Sequence, residues 1–224
     1  MEVVFLYYAL IGDIISSKKL SQPRRAEAQE RLSAALRQVN GAYSGGIAAR
    51  FLITLGDECQ GLMLETGDPV SAALDIIHAM RPYEIRFAIG FGGMDTPIDP
   101  GAAIGADGAA FHRARACVEA MKKRHFARLR FSTGNAELDG AANIVAALCD
   151  RLYLNFTDKQ EQLVYTMLKA RISGEKLTQA ELGEIAGVGQ STVNSQLSAA
   201  GFNEYAAGVR FVRGLVSRAK EGTE

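Results

Sequence analysis

Three carboxylates stand where a chain could do chemistry. Asp13 closes an apolar run in "ALIGDII", and Asp57 with Glu58 sits in "ITLGDECQG", between two runs that read as strands. Hard divalent cations such as magnesium take carboxylate oxygens and complete their shell with water and substrate phosphates. Two such ions can bridge a triphosphate and stabilise an in-line displacement. On spacing alone the same acids also read as solvated turn residues, so the elements around them must decide between the two readings.

Composition narrows the other chemistries. Nearly half of the 224 residues are apolar, which suits a globular chain with a sizeable core. Cys59, Cys117 and Cys149 are odd in number and far apart, which argues against a disulfide framework and a zinc site. His78, His112 and His125 show no metal-ligand spacing. Net charge is zero, so nucleic acid or membrane binding must be argued from a motif rather than from bulk charge. "VVFLYYALIG" is too short to span a bilayer and lacks a basic leader, and we read it as a first strand rather than a signal peptide. The expectation is a cytoplasmic protein with no membrane partner.

The elements alternate over the first part of the chain. Residues 2–11 read as a strand, and Ala28, Leu32, Leu36, Val39 and Tyr43 fall at helical spacing over about 22–43. "IAARFLITL" and "CQGLMLET" then form a hairpin around Gly56, Asp57 and Glu58. A helix over about 68–80 precedes the strand "YEIRFAIGFG", and a Pro/Gly/Asp-rich loop leads into the helix "AFHRARACVEAMKK". This β-α-β-β-α-β order predicts an α+β fold: a ferredoxin-like antiparallel sheet with helices, extended by the strand "ARLRFST" and a helix after it. We expect domains at 1–154 and 155–224. In that frame Asp13, on a central strand, and Asp57, on a neighbouring hairpin, come together at one edge of the sheet.

The order "IGDIISSKK", "LGDECQG", "IRFAIGFG" and "IGADGAAFHRAR" resembles the SatD family of bacterial proteins. The first domain of that family is similar to the nucleotidyl cyclase superfamily, which includes class III adenylyl cyclases and GGDEF diguanylate cyclases. The resemblance covers roughly residues 3–125. It implies magnesium held by Asp13 and Asp57, with the Ile14 carbonyl as a backbone ligand and Glu58 as a further candidate. It also implies a nucleotide, in particular a nucleoside triphosphate, as ligand. Arg115 takes the place of the catalytic arginine of cyclases. Gly105, Asp107, Arg113 and Arg115 are the candidate nucleotide contacts, with free N–H groups at the start of the helix after "IGADG" able to attract anions. The pattern departs from working cyclases at two places. Ile53 stands where adenylyl cyclases carry a purine-selecting lysine, and Phe111 where they carry an asparagine. The resemblance also implies a homodimer, since cyclase relatives commonly share sites across one.

The last part of the chain has a different texture. Thr157 with Gln160 and Thr178 with Glu181 are capping-box pairs. "ELGEIAGVGQSTVNSQL" fits a helix-turn-helix, with Gly187 in the turn and Gly189 as cap of the second helix. We expect Ala180, Leu182, Ile185, Ala186, Val188, Val193 and Leu197 on its apolar side. In DNA-binding versions the second helix enters the major groove. Gln190, Ser191, Thr192, Asn194 and Gln196 are then the candidate base contacts. From 156 onward eight Lys/Arg face eight Asp/Glu, so phosphate contacts must come from local placement, with Arg210, Arg213, Arg218 and Lys220 as a candidate stripe. The expected function is a regulatory protein in which a magnesium-dependent nucleotide domain is coupled to a DNA-binding domain. An active nucleotidyl cyclase and a non-catalytic scaffold remain open alternatives.

Overall fold

The computed structural model describes residues 5–123 and 127–219, so His125 and Lys220 lie outside the described residues. The chain divides into two compact units, one running up to Ile144 and resuming from Arg213, the other Val145–Val212.

The first unit is an α+β structure built on a mixed five-stranded sheet with strand order β2-β3-β1-β4-β5. Its elements are β1 (Tyr7–Ile14), α1 (Gln22–Ala42), β2 (Ile47–Leu55), β3 (Glu58–Leu64), α2 (Pro69–Ala79), β4 (Ile85–Gly92), α3 (Ala109–Lys123), β5 (Leu129–Ser132) and the start of α4 (Ala136–Tyr153). Strand β1 is central and antiparallel to both β3 and β4, whereas β5 joins β4 in parallel. The expected strand over 2–11 falls partly outside the described residues; among them β1 begins at Tyr7 and runs on to Ile14, because Gly12 and Asp13 pair with both neighbours and Ile14 with Ile85 of β4. Asp13 therefore lies near the end of β1, opposite Glu58, the first residue of β3.

Period-two alternation sorts the strand residues between the two faces. Ala9 and Ile11 of β1, Leu62 of β3 and Ala88 of β4 form a buried cluster with Ala110, Ala114, Val118 and Met121 of α3. Tyr8, Leu10, Phe87 and Phe91 point to the other face and are buried as well. Helices α1 and α2 pack on each other, α1 on β2 and α2 on β4. Burying side chains of this size stabilises by about 1.5–3 kcal/mol each.

The C-terminal end of α8 (Phe202–Ser217) belongs to this unit from Arg213 onward. The Tyr8 hydroxyl donates to the Val216 carbonyl at 2.8 Å, and Arg213 donates from Nε to Asp68 Oδ2 at 2.9 Å and from Nη2 to the same oxygen. Asp68 also caps α2, accepting from the Ser71 N–H at 3.0 Å. Burial by itself raises the Asp68 carboxyl, but hydrogen bonds from Arg213 and Ser71, with the Arg213 charge, outweigh it and leave it below the usual 3.8. A depressed carboxylate contributes stability above its unfolded value and loses it as pH falls through the folded value. Asp68→Asn is therefore expected to cost about 1–3 kcal/mol at neutral pH. The gap from wild type should close below about pH 4, as wild-type Asp68 takes up its proton. Urea unfolding at pH 7 and in that acidic range checks both statements.

The second unit holds α5 (Asp158–Ser173), α6 (Gln179–Ala186), α7 (Gln190–Ala199) and the adjoining parts of α4 and α8. Both capping boxes form, at Thr157 with Gln160 and at Thr178 with Glu181. Gly187 ends α6 at φ +67, a conformation few residues other than glycine adopt without cost. Leu182, Val193 and Leu197 are buried as expected. Ala180, Ile185 and Ala186 are not: they are exposed, Ile185 at 69%, and Val188 is half-buried. The reason is Gly183, which is buried so close to the turn that a Cβ there would lie 2.6 Å from the Val188 carbonyl oxygen. That approach turns the 182–183 side of α6 inward and Ile185 outward. Among the described residues no helix is long and apolar enough to cross a membrane.

Candidate functional site

The register of the sheet places charged residues in one row. Asp13 of β1 lies opposite Glu58 of β3 on one side and opposite Arg86 of β4 on the other. Directly paired residues in antiparallel strands share a face, and here it is the face covered by α3. The next row along, Gln60, Ile11 and Ala88, passes into the apolar core beneath that helix.

Helix α3 brings further cations to this row. Arg115 and Lys122 are seven residues apart, which puts them on one helical face. Arg115 Nη1 donates to Glu58 Oε1 at 2.7 Å. Lys122 Nζ lies 3.4 Å from Asp13 Oδ1, 3.9 Å from Glu58 Oε2 and 3.5 Å from Glu119 Oε1. Arg86 completes the set, with Nε 3.0 Å from Asp13 Oδ2 and Nη1 donating to the Met121 carbonyl at 3.0 Å. That carbonyl lies in the last turn of α3, where the helix dipole also favours a cation.

Burial differs across the cluster. Asp13 and Glu58 are almost fully covered, whereas the side chains of Arg115 and Lys122 are 45% and 35% exposed. Burial raises the Asp13 carboxyl above its usual value; Lys122 and Arg86 oppose the rise, and nearby Asp57 adds to it.

Asp57 is half-buried in the hairpin turn, apart from the row. Its carboxylate accepts from the Ser17 hydroxyl, and its carbonyl accepts from the Ile14 N–H at 2.9 Å. Ser17 opens a short 3-10 turn over Ser17–Lys19, entered through Ser16 at φ +58, and Arg25 donates to its carbonyl at 3.3 Å. Lys18 and Lys19 are exposed. Cys59 beside the row is fully buried, and burial pushes its thiol up to about 12, so it serves as packing.

The structure thus gathers Asp13, Ile14, Asp57, Glu58 and Arg115 of the residues named from sequence. It places the others elsewhere. Arg113 donates to the Phe91 and Thr133 carbonyls, the latter at 3.1 Å. Asp107 accepts from the Gly108 N–H at 2.9 Å, lies 3.2 Å from His112 Nε2, and bonds through its carbonyl to the Asp95 N–H. These contacts sit where α3 starts, against Gly92, which pairs with Tyr7 at the far end of β1. At a strand rise of about 3.3 Å that end is roughly 20 Å from Asp13. Gly105 is exposed at φ +77 just before that start. Phe111, at the asparagine position of cyclases, is a core residue.

Sequence reasoning missed Arg86 and Lys122. The signal for Arg86 was present, since Arg86, Ala88 and Gly90 alternate on an inward face that needs a partner for any charge. Lys122 carried only its helical spacing from Arg115.

The donor set of carboxylates and a carbonyl suits a hard divalent cation. In this arrangement, however, each Asp13 oxygen faces a protein cation, and Glu58 is shared between Arg115 and Lys122. Among the described residues no group of three or more His, Cys, Asp or Glu stands ready to hold a metal ion.

In the second unit Gln190, Ser191, Thr192 and Asn194 are exposed along α7, and Gln196 is half-buried. Gln179 Nε2 donates to Asn194 Oδ1 at 3.4 Å. A groove of about 550 Å³ runs beside them, lined by Arg171, Lys176, Gln179, Asn194, Ser198 and Phe202. Arg171 stacks on the Phe202 ring, 4.4 Å from its centroid.

An α+β sheet unit with an ion-paired row at the end of its central strand, followed by a helical unit, defines the class of protein. The sequence matches the SatD family over residues 7–213, and the chain belongs to that family. Among solved structures it is similar to a bacterial light-regulated adenylyl cyclase, at 18% identity and a TM-score of 0.42, covering 59% of this chain and 78% of that one. A second structure of a bacterial light-regulated adenylyl cyclase gives 16% identity and a TM-score of 0.45, covering 60% of this chain and 45% of that one. A regulator of polyketide synthase expression from Bifidobacterium adolescentis gives 15% identity and a TM-score of 0.31, covering 99% of this chain and 83% of that one. No curated protein matches the sequence.

Proposed function

We propose that this SatD-family chain is a regulatory protein whose sheet unit binds a nucleotide at the edge marked by Asp13, Asp57 and Glu58, and whose helical unit binds DNA. The observation that carries the proposal is the ion-paired row itself. Two buried carboxylates and a mostly covered guanidinium are held in register at a strand end, and two partly exposed cations from α3 reach them. Stability alone is a weak reason to keep such a cluster, since buried ion pairs seldom outperform apolar packing. A phosphate chain gives Arg115 and Lys122 a partner of the opposite charge, with Arg115 suited to a bidentate grip. Magnesium, when bound, would neutralise part of the phosphate charge and would be held by Asp13, Asp57 and Glu58. The reading assigns nucleotide binding to this edge.

In the same reading α6 and α7 act as a helix-turn-helix, with Gln190, Ser191, Thr192, Asn194 and Gln196 facing base edges. In this reading the phosphate contacts that α7 itself lacks would come from Arg171 and Lys176 of the neighbouring groove, which also carries Glu175 and Glu204. Selection of the full chain on random duplex DNA, with and without nucleoside triphosphates and magnesium, tests this half. The expected result is an enriched duplex whose preference weakens in a Gln190→Ala, Asn194→Ala double variant, by about 1–3 kcal/mol for each lost bidentate contact. Affinity should also fall with added salt. An enriched inverted repeat would show that the chain binds as a dimer. Enrichment of no duplex under either condition contradicts the DNA-binding assignment.

A further inference from the structure

We infer that Lys122 is a tethered cation standing where a divalent ion would stand, and that the edge takes such an ion only when Lys122 leaves. The inference deepens the nucleotide-site reading and rests on it for its biological purpose, but its physical content is the contact set around Asp13 and Glu58.

Among the described residues three cations touch these carboxylates, and they differ in how freely they can depart. Arg86 is fixed: its side chain is 16% exposed and a second nitrogen is bonded to the Met121 carbonyl. Arg115 is exposed, and among the described residues its ion pair is with Glu58 alone. Among the described residues Lys122 alone lies within 4 Å of both acids, as an ion between two carboxylates would. It springs from the last turn of α3 and its side chain is 35% exposed, so it can swing out without disturbing the buried cluster beneath the helix. A lysine ammonium is a compact point charge on a flexible stem, which suits this exchangeable role better than a planar guanidinium.

The charges account for the competition. Among the described residues Asp13, Glu58, Asp57 and the more exposed Glu119 stand against Arg86, Arg115 and Lys122, one negative charge in excess. With Lys122 in place a dication is repelled by an ammonium lying between Asp13 and Glu58. With Lys122 withdrawn that repulsion is gone and the excess grows to two, on a largely buried face where opposite charges attract more strongly than in water. A polyphosphate carrying its own magnesium supplies both needs together, a new partner for Lys122 and an ion for the acids. Free magnesium supplies only the second. The device would therefore make the edge respond to the metal–nucleotide complex rather than to the ion.

The test uses Mn²⁺ alone, with no nucleotide, titrated into the full chain and followed by electron paramagnetic resonance of the free ion. The proteins are wild type, Lys122→Met, Lys122→Gln, Lys122→Arg, and Lys122→Met combined with Asp13→Asn. Circular dichroism melting of each confirms folding, and the two neutral variants guard against one of them failing to fold. Removing the competing charge should tighten Mn²⁺ binding about tenfold or more in both neutral variants. Lys122→Arg should behave as wild type, and the added Asp13→Asn should abolish the gain. Equal Mn²⁺ binding by wild type and the neutral variants overturns the inference, whether both bind or neither does. The nucleotide reading fails separately: if no nucleotide stabilises any of these proteins while the neutral variants still gain Mn²⁺, the tethered cation stands and its proposed ligand does not.

Discussion

Gly90→Ala is expected to destabilise the sheet unit by about 3 kcal/mol or more, a severe effect for a single methyl group. A Cβ at Gly90 would fall 2.1 Å from the Ala110 carbonyl oxygen and 2.5 Å from the Ala114 nitrogen. Both are backbone atoms of α3, so no rotamer change relieves the clash and the helix itself must move. Gly12 offers the contrast, since a Cβ there meets the Phe87 ring and the Cys59 sulfur, which are side chains. A shifted α3 also carries Arg115 and Lys122 away from Glu58 and Asp13, so the variant should lose the ion cluster along with stability. Gly140→Ala serves as the control. Its Cβ meets nothing within 4 Å, and in the helix α4 alanine should be neutral or stabilise by about 0.5–1 kcal/mol. Urea denaturation of the three proteins reads the difference directly; a mild Gly90→Ala would mean that α3 does not lie against β4 as described.

The second large effect separates two acids that look alike in sequence. Asp13→Ala is expected to cost about 3 kcal/mol, because it leaves Arg86 in a mostly covered position without its nearest counter-charge. The Asp13 and Arg86 side chains are only 10% and 16% exposed, so water cannot take over the pairing. Asp57→Ala should cost about 1 kcal/mol or less, the loss of one hydrogen bond from Ser17 in a half-buried turn. This asymmetry decides how ligand experiments are read. Loss of binding in Asp13→Ala is confounded with loss of structure, whereas loss of binding in Asp57→Ala reports on the ligand. Equal costs for the two variants, measured by chemical denaturation, would contradict the structural role given to the row.

The order of elements was legible because each left a local mark: β-branched and aromatic apolar runs for the strands, three-to-four spacing for α1, a Pro/Gly/Asp-rich loop before α3, capping boxes at Thr157 and Thr178. The end of β1 was less so. Reading it over 2–11 follows its aromatic and β-branched residues, but pairing with two neighbours carries the strand to Asp13 and with β4 to Ile14, and only the register shows that Glu58, rather than Asp57, faces Asp13. Arg86 and Lys122 were hidden for a related reason. They come from β4 and α3, far along the chain, and a charge inside an apolar segment does not reveal which distant carboxylate it meets. Ile185 was misplaced because its spacing fits the inward face of a longer helix, whereas α6 is short and turned by the close approach at Gly183. The motif around Arg113 and Asp107 pointed to phosphate binding, but backbone bonds to Phe91, Thr133 and Asp95 hold those residues at the opposite end of the sheet.

The central claim is a nucleotide site at the Asp13 edge, and thermal unfolding with each nucleoside triphosphate and with cyclic and dinucleotides, with and without magnesium, tests it most directly. The proteins to compare are wild type, Asp57→Ala and Arg115→Ala. A ligand at 100 times its dissociation constant adds about 2.7 kcal/mol of stability. The account predicts such a stabilisation of wild type by at least one nucleotide, dependent on magnesium, absent in Asp57→Ala and weakened in Arg115→Ala. Stabilisation by no nucleotide, or equal stabilisation of all three proteins, would contradict it.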